Sequence, residues 1–412
     1  MNRPNRDQPS AASPLRVLQI VPSISLVYGG PSQMVRGFSA ALGAAGAAVT
    51  VLTTDANGDV GQPPLAVPLN QPVPEDGYTI WYFHCSPWRR YKFSLGLLQW
   101  LARHSQDYDI AHVHALFSPV STAAATVARW RGLPYLLRPL GTLDPADLRK
   151  KQQLKRLYGY LLERPNLAGA AAVHFTSQPE ADVSERFGTH AQEVVIPLGV
   201  TPPTTLSPEA VQEMCDRNAI PPDRPRLLYM SRLDPKKGLD LLLPALEQLL
   251  RHSIPFHFIL CGANPQDPGY EHSIRQWIQH SPLAQRTTIT GFVSGDEKAA
   301  LLQAADVFVL PSYYENFGIA VAEAMMAGNP VVITRGVYIW PDIQQAEAGW
   351  LCDGTAESLA QVLTQALGDP LERQRRGQQA QTLANQRYSW DAIAQQTLQI
   401  YYQLLYRPHE SW

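Results

Sequence analysis

The chain has 412 residues, 45% of them hydrophobic and 17% charged, with a formal net charge of -2. That length and composition suit a soluble globular protein of two ordinary domains, and exclude the basic excess that nucleic-acid binding needs. Four scattered cysteines, Cys85, Cys215, Cys261 and Cys352, form no Cys-Xaa-Xaa-Cys pair and read as reduced, buried thiols. Residues 1–14 carry Pro4, Pro9 and Pro14 and no apolar run, which predicts a disordered lead-in rather than a signal peptide. No apolar run approaches the ~18 residues of a membrane span, so a cytoplasmic location is expected.

Short apolar runs then alternate with helical patterns, predicting parallel sheets covered on both faces. In the first half, strands are expected at 15–21, 48–53, 79–84, 110–114, 134–138, 171–175 and 194–196. Helices are expected there at 32–46, 94–104, 118–131, 147–163 and 178–187. In the second half the strands are 226–231, 256–261, 287–290, 306–310, 330–333 and 350–352. Its helices are 239–251, 270–279, 296–304, 319–327, 356–367 and 370–386, and a last helix spans about 390–406. The Pro-rich stretch from Pro202-Pro203 to Pro225 reads as a stiff linker between two Rossmann-like units.

Several stretches carry chemistry. Gly29-Gly30, after the first strand, form either a tight turn or a loop whose backbone approaches a phosphate at a helix start. His112 and His114 alternate onto one strand face, with no further ligand nearby to complete a zinc set. Asp107-Tyr108-Asp109 precedes that strand rather than ending it, so it reads as a surface lead-in, and no metal dependence is predicted. Positive charge collects in the first half: residues 86–164 hold 13 basic against 5 acidic side chains. Aromatics interleave with cations over 87–93, and a second basic run covers 149–156. These suit an anionic membrane leaflet, a polyprenyl-diphosphate acceptor, or a merely solvated helix face.

The second half is more specific. In Leu227-Leu-Tyr-Met-Ser-Arg232-Leu-Asp-Pro-Lys-Lys237-Gly238, a strand ends at two cations spaced to reach both phosphates of a leaving nucleoside diphosphate. Gly291-Phe292-Val293 closes another strand. Pro311-Ser-Tyr-Tyr-Glu315-Asn316-Phe317-Gly318-Ile319-Ala-Val-Ala-Glu323 turns from a strand into a short helix. That helix N-terminus suits a diphosphate, and a carboxylate one turn deeper can accept hydrogen bonds from ribose hydroxyls. Together these describe a sugar-nucleotide site.

Glu315-(seven residues)-Glu323, with its Phe317-Gly318 and its Ala-Xaa-Gly-Xaa-Pro-Val-Val continuation, resembles the signature of the retaining GT-B glycosyltransferases of family 4. Arg232-(four residues)-Lys237-Gly238 matches the same family, and the resemblance covers roughly residues 15–407. It implies an α/β fold of two Rossmann-like parallel-sheet domains facing a central cleft. Residues 15–200 would bind the acceptor and 201–388 the sugar nucleotide, with 389–412 crossing back as a helix. Pro197-Leu-Gly-Val200 resembles the family's hinge.

The implied activity is metal-independent, retaining transfer of a hexose from a nucleoside-diphosphate sugar to a glycan or lipid-linked acceptor, with no cofactor. The carried-over roles put Glu315, His114, Arg232 and Lys237 at the chemistry. Arg232 and Lys237 hold the diphosphate, faced by Gly29 and Gly30. Glu323 takes the ribose, Gly291 to Val293 the base, and Glu315 with the backbone of Asn316, Phe317, Gly318 and Ile319 the sugar. His114 would contact the sugar 6-hydroxyl. Arg138-Pro-Leu-Gly-Thr-Leu-Asp144 looks most like exopolysaccharide-assembly members and makes Arg138 an acceptor-binding candidate. A sugar-nucleotide 2-epimerase or a catalytically silent glycan-binding relative would share this fold.

Overall fold

In the computed structural model the described residues are 13–28, 30–58, 62–86, 89–149 and 152–406. Expectations falling on residues 1–12, Gly29, 59–61, Pro87, Trp88, Lys150, Lys151 and 407–412 lie outside them. The chain divides into two units. The first runs to Gly199 and resumes at Trp390; the second is Val200–Ser389.

The first unit is built on β1 (Arg16–Ile20), β2 (Ala48–Thr54), β3 (Pro72–Glu75), β4 (Tyr78–Phe83), β5 (Ile110–His114), β6 (Tyr135–Arg138), β7 (Ala172–Phe175) and β8 (Glu193–Val195). Their order is β3-β4-β2-β1-β5-β6-β7-β8. All neighbours run parallel except β3 against β4. β5 and β6 are buried along their whole length, as strands covered on both faces must be. The sequence pattern misses β3 because Pro72 and Pro74 read as breakers. An edge strand tolerates them, since their missing N–H groups face away from the ladder. Asp76-Gly77 is the turn that pairs Glu75 with Tyr78.

The helix expected over 147–163 is broken into Pro145–Leu148, Gln152–Tyr158, a π-helical turn Gly159–Glu163, and Arg164–Gly169. The turn presses Gly159 onto Phe187, whose ring would lie 2.4 Å from any Cβ there. The helix Trp390–Tyr406 packs in this first unit. A Cβ on Gly37 or Gly199 would stand 2.4 or 2.1 Å from the Trp390 ring, so only hydrogen leaves room for that indole.

The second unit holds β9 (Arg226–Met230), β10 (His257–Cys261), β11 (Thr287–Gly291), β12 (Val307–Leu310), β13 (Val331–Thr334) and β14 (Gly349–Cys352). The order is β11-β10-β9-β12-β13-β14, all parallel. This is a doubly wound sheet whose strand order reverses between β9 and β12. Ligands of such sheets bind at that reversal, outside the carboxyl ends. The Pro-rich stretch expected as linker is corrected in one respect, for it carries a helix, Pro208–Arg217. Ser207 caps it by accepting from the Ala210 amide at 3.3 Å, and Pro208 occupies the first turn, where its missing N–H is not needed.

Candidate functional site

In the second unit, the loops leaving β9 and β12 bring the sequence-derived residues together at the sheet's reversal. Asp234 accepts from the Lys236 amide at 3.1 Å and so starts the single turn Pro235–Lys237. Gly238 ends that turn at φ +73, where a Cβ would lie 2.1 Å from the Pro311 carbonyl oxygen. The Tyr313 amide donates to the Lys236 carbonyl at 2.9 Å, stapling the two loops to each other. The loop after β13 clamps Glu315 as well. Its amide donates to the Gly336 carbonyl at 2.8 Å, and its carbonyl accepts from the Tyr338 amide at 3.0 Å.

Within that frame the Lys237 ammonium is ion-paired with the Glu315 carboxylate, their side chains only 11% and 21% exposed. Arg232 is looser, at 45% exposure, with Asp234 3.5 Å and Gln266 3.4 Å from its guanidinium. Burial, and then the neighbouring Lys237 charge, hold the Lys236 ammonium below its usual range. Gly318 adopts φ +83 and opens the helix Ile319–Met326, so that helix's first amides point toward the Lys237–Glu315 pair's loop. Phe317 turns inward, edge-on to Tyr388 at 5.2 Å, which leaves only its backbone for a ligand. Glu323, one turn into the helix, is bound by Lys298 at 2.6 Å. Sequence reading missed Lys298, because its helix Gly295–Ala304 precedes β12 and only folding brings it near. Phe292, beyond β11, projects at 78% exposure, whereas Val293 is buried.

In the first unit, Gly30 opens the helix Gly30–Ala44. His114 and Arg138 are register partners on β5 and β6, and both are buried. Burial pushes the His114 imidazolium far below its ordinary range, and the Arg138 charge adds to the effect. Burial likewise lowers Arg138 to about 10, partly offset by Glu180. Its Nη1 meets Met34 Sδ at 2.8 Å, and its Nε has no hydrogen-bond partner among the described residues. The paired aspartates before β5 are engaged elsewhere, Asp109 with Arg16 at 2.8 Å and Asp107 with His104 at 3.0 Å.

Residues 211–383 match the family Glycosyl transferases group 1, and residues 29–199 match the Glycosyl transferase 4-like domain. Between them the two matches take in most of both units. The chain is a glycosyltransferase with the GT-B fold. An uncharacterized glycosyltransferase of Methanocaldococcus jannaschii is 31% identical over 182 residues, which is 43% of this chain and 45% of that protein. The D-inositol 3-phosphate glycosyltransferase of Corynebacterium urealyticum is 26% identical over 77% of each chain. Among solved structures, Anabaena Alr3699/HepE in complex with UDP-glucose superposes with a TM-score of 0.68. That likeness covers 94% of this chain and 99% of the other at 19% identity, and it concerns the fold.

The glycosyltransferase's second unit can therefore present a positive pair, Lys237 and Arg232, and a helix N-terminus to an anion. Glu315 is ion-paired with Lys237 there, and Glu323 with Lys298. No helix among the described residues is long and apolar enough to cross a membrane.

Proposed function

We propose that this glycosyltransferase moves a hexose from a nucleoside-diphosphate sugar to a glycan or lipid-linked acceptor, with retention at the anomeric carbon. The observation that carries this reading is the Lys237–Glu315 pair held at the β9/β12 reversal beside Arg232. In the reaction the bond from the anomeric carbon to the diphosphate oxygen breaks. An acceptor hydroxyl bonds to that carbon from the same face, and its proton passes to the departing phosphate oxygen. Lys237 and Arg232 neutralise the charge gathering on the diphosphate, and Glu315 stabilises the electron-poor sugar. The helix start at Ile319 and Glu323 orient the phosphate and ribose. That a fold neighbour binds UDP-glucose, and a relative is named for an inositol phosphate acceptor, supports a sugar nucleotide on one side and a polyol on the other.

A panel of UDP-, GDP-, ADP- and dTDP-sugars tests the donor. A donor at a hundred times its Kd stabilises the fold by about 2.7 kcal/mol through mass action, a rise in Tm that thermal melting resolves. The stabilising sugar should then be transferred in the presence of a chelator, with an α donor giving an α product by proton NMR. A panel in which nothing raises Tm, or a product of inverted configuration, contradicts the proposal.

A role in exopolysaccharide or cell-surface glycan assembly calls for attachment to the cytoplasmic membrane face. Leu154, Leu157, Tyr160, Leu161 and Leu162 are all exposed on the helix Gln152–Tyr158 and the turn that continues it. Arg149, Arg156 and Arg164 are exposed in the same stretch, Lys155 is ion-paired with Asp147 at 2.7 Å, and between residues 148 and 179 the one carboxylate is Glu163. It is buried and accepts from the Phe117 amide and the Thr122 hydroxyl, each at 2.7 Å. A run of exposed apolar side chains interleaved with exposed arginines suits an anionic lipid interface. Flotation should recover the protein with phosphatidylglycerol vesicles and not with phosphatidylcholine, and Leu157→Glu with Leu161→Glu should abolish recovery. Equal recovery on both lipids rules the attachment out.

A further inference from the structure

Five buried side chains in the first unit form a continuous line of hydrogen bonds that ends at His114. His174 Nε2 lies 2.7 Å from the Ile196 carbonyl oxygen. His174 Nδ1 lies 3.0 Å from His112 Nε2, and His112 Nδ1 lies 2.7 Å from the Tyr401 hydroxyl. Gln19 Nε2 reaches the same hydroxyl at 3.5 Å, and Gln19 Oε1 lies 2.7 Å from His114 Nε2. His114 Nδ1 is buried with no hydrogen-bond partner among the described residues.

The direction of every bond in this line follows from its first one. A backbone carbonyl can only accept, so His174 carries its proton on Nε2. All three imidazoles are buried and held neutral by desolvation, His174 with a value near 3. A neutral His174 has a bare Nδ1, which must receive the Nε2–H of His112. The bare Nδ1 of His112 in turn receives the Tyr401 O–H. The phenol oxygen, its proton spent, accepts from the Gln19 amide nitrogen, and Gln19 then shows its oxygen to His114. His114 donates from Nε2, and its Nδ1 is left as a lone pair.

We infer that this directed chain, anchored on the Ile196 carbonyl and passing through Tyr401 of the terminal helix, locks His114 in the Nε2–H tautomer and presents Nδ1 as an acceptor for a substrate hydroxyl. Tyr401, Gln19, His112 and His174 are thus positioning residues, and His114 can receive a hydrogen bond but not give one. The inference rests on the reading of His114 as a contact of the transferred sugar.

Tautomers are read directly from long-range proton–nitrogen correlations of the full-length enzyme labelled with 15N-histidine, His114 being assigned by its loss in His114→Gln. In the unmodified enzyme His114, His112 and His174 should each show a protonated Nε2 and a bare Nδ1. In Tyr401→Phe the Gln19 amide loses its acceptor and is free to turn over. His114 should then show a mixture of tautomers, and kcat/KM for transfer should fall about tenfold, the scale of one oriented hydrogen bond. Gln19→Leu, which removes the last link from the strand side, should have the same signature. A protonated Nδ1 on His114 in the unmodified enzyme overturns the inference without any variant. So does a Tyr401→Phe spectrum in which His114 is unchanged. A shifted tautomer with kcat/KM unaltered upholds the chain of bonds and overturns the sugar contact instead.

Discussion

Lys237→Ala and Glu315→Ala should each lower the turnover of glycosyl transfer by a hundredfold or more, equivalent to about 3 kcal/mol of activation barrier. The two losses should not add. Both side chains are largely withdrawn from solvent and ion-paired with each other, so removing one changes the environment of the other. Lys237→Ala leaves the Glu315 carboxylate unpaired beside the place where the diphosphate would sit, and like charges there raise KM as well as lowering kcat. Glu315→Ala frees the ammonium for the diphosphate, so KM should stay level or fall while kcat collapses, as expected when a group acts mainly in the transition state. The double variant should be little worse than Lys237→Ala alone. Initial rates across donor concentration separate these cases, and near-normal turnover in both single variants refutes the assignment.

Gly238→Ala should destabilise the second unit by about 3 kcal/mol or more. Its φ of +73 disfavours any side chain, and the Pro311 carbonyl occupies the place of the new methyl at 2.1 Å. Relief requires the loops after β9 and β12 to part, which breaks the Tyr313–Lys236 bond and moves Lys237 off Glu315. The variant should therefore melt several degrees lower and lose the stabilisation that a sugar nucleotide confers. A melting curve that keeps both its midpoint and its response to donor shows that the loops are not held together as described.

Much of this architecture is legible in the residues alone. Buried parallel strands such as β9 and β10 are continuous apolar runs, because both faces are covered and no alternation is possible. Lys237, Glu315 and Glu323 stand out because each sits where a strand gives way to a helix, and that local geometry is written in neighbouring Gly and Pro residues. β3 escapes detection because its prolines signal a breaker, and only the edge position makes them harmless. The helix Pro208–Arg217 is hidden for a similar reason, since proline at a first turn looks like proline in a linker.

Local order in the chain thus decides where strands end, which loops carry charge, and which family the protein belongs to, because those features depend on neighbours a few residues apart. The partnerships depend on approach between distant segments. Lys298 reaches Glu323, Phe317 turns onto Tyr388, and Tyr401 joins His112 of β5 across nearly three hundred residues. Burial and hydrogen-bond direction are set only when those segments pack, so the state of His114 could be decided by the tertiary structure alone.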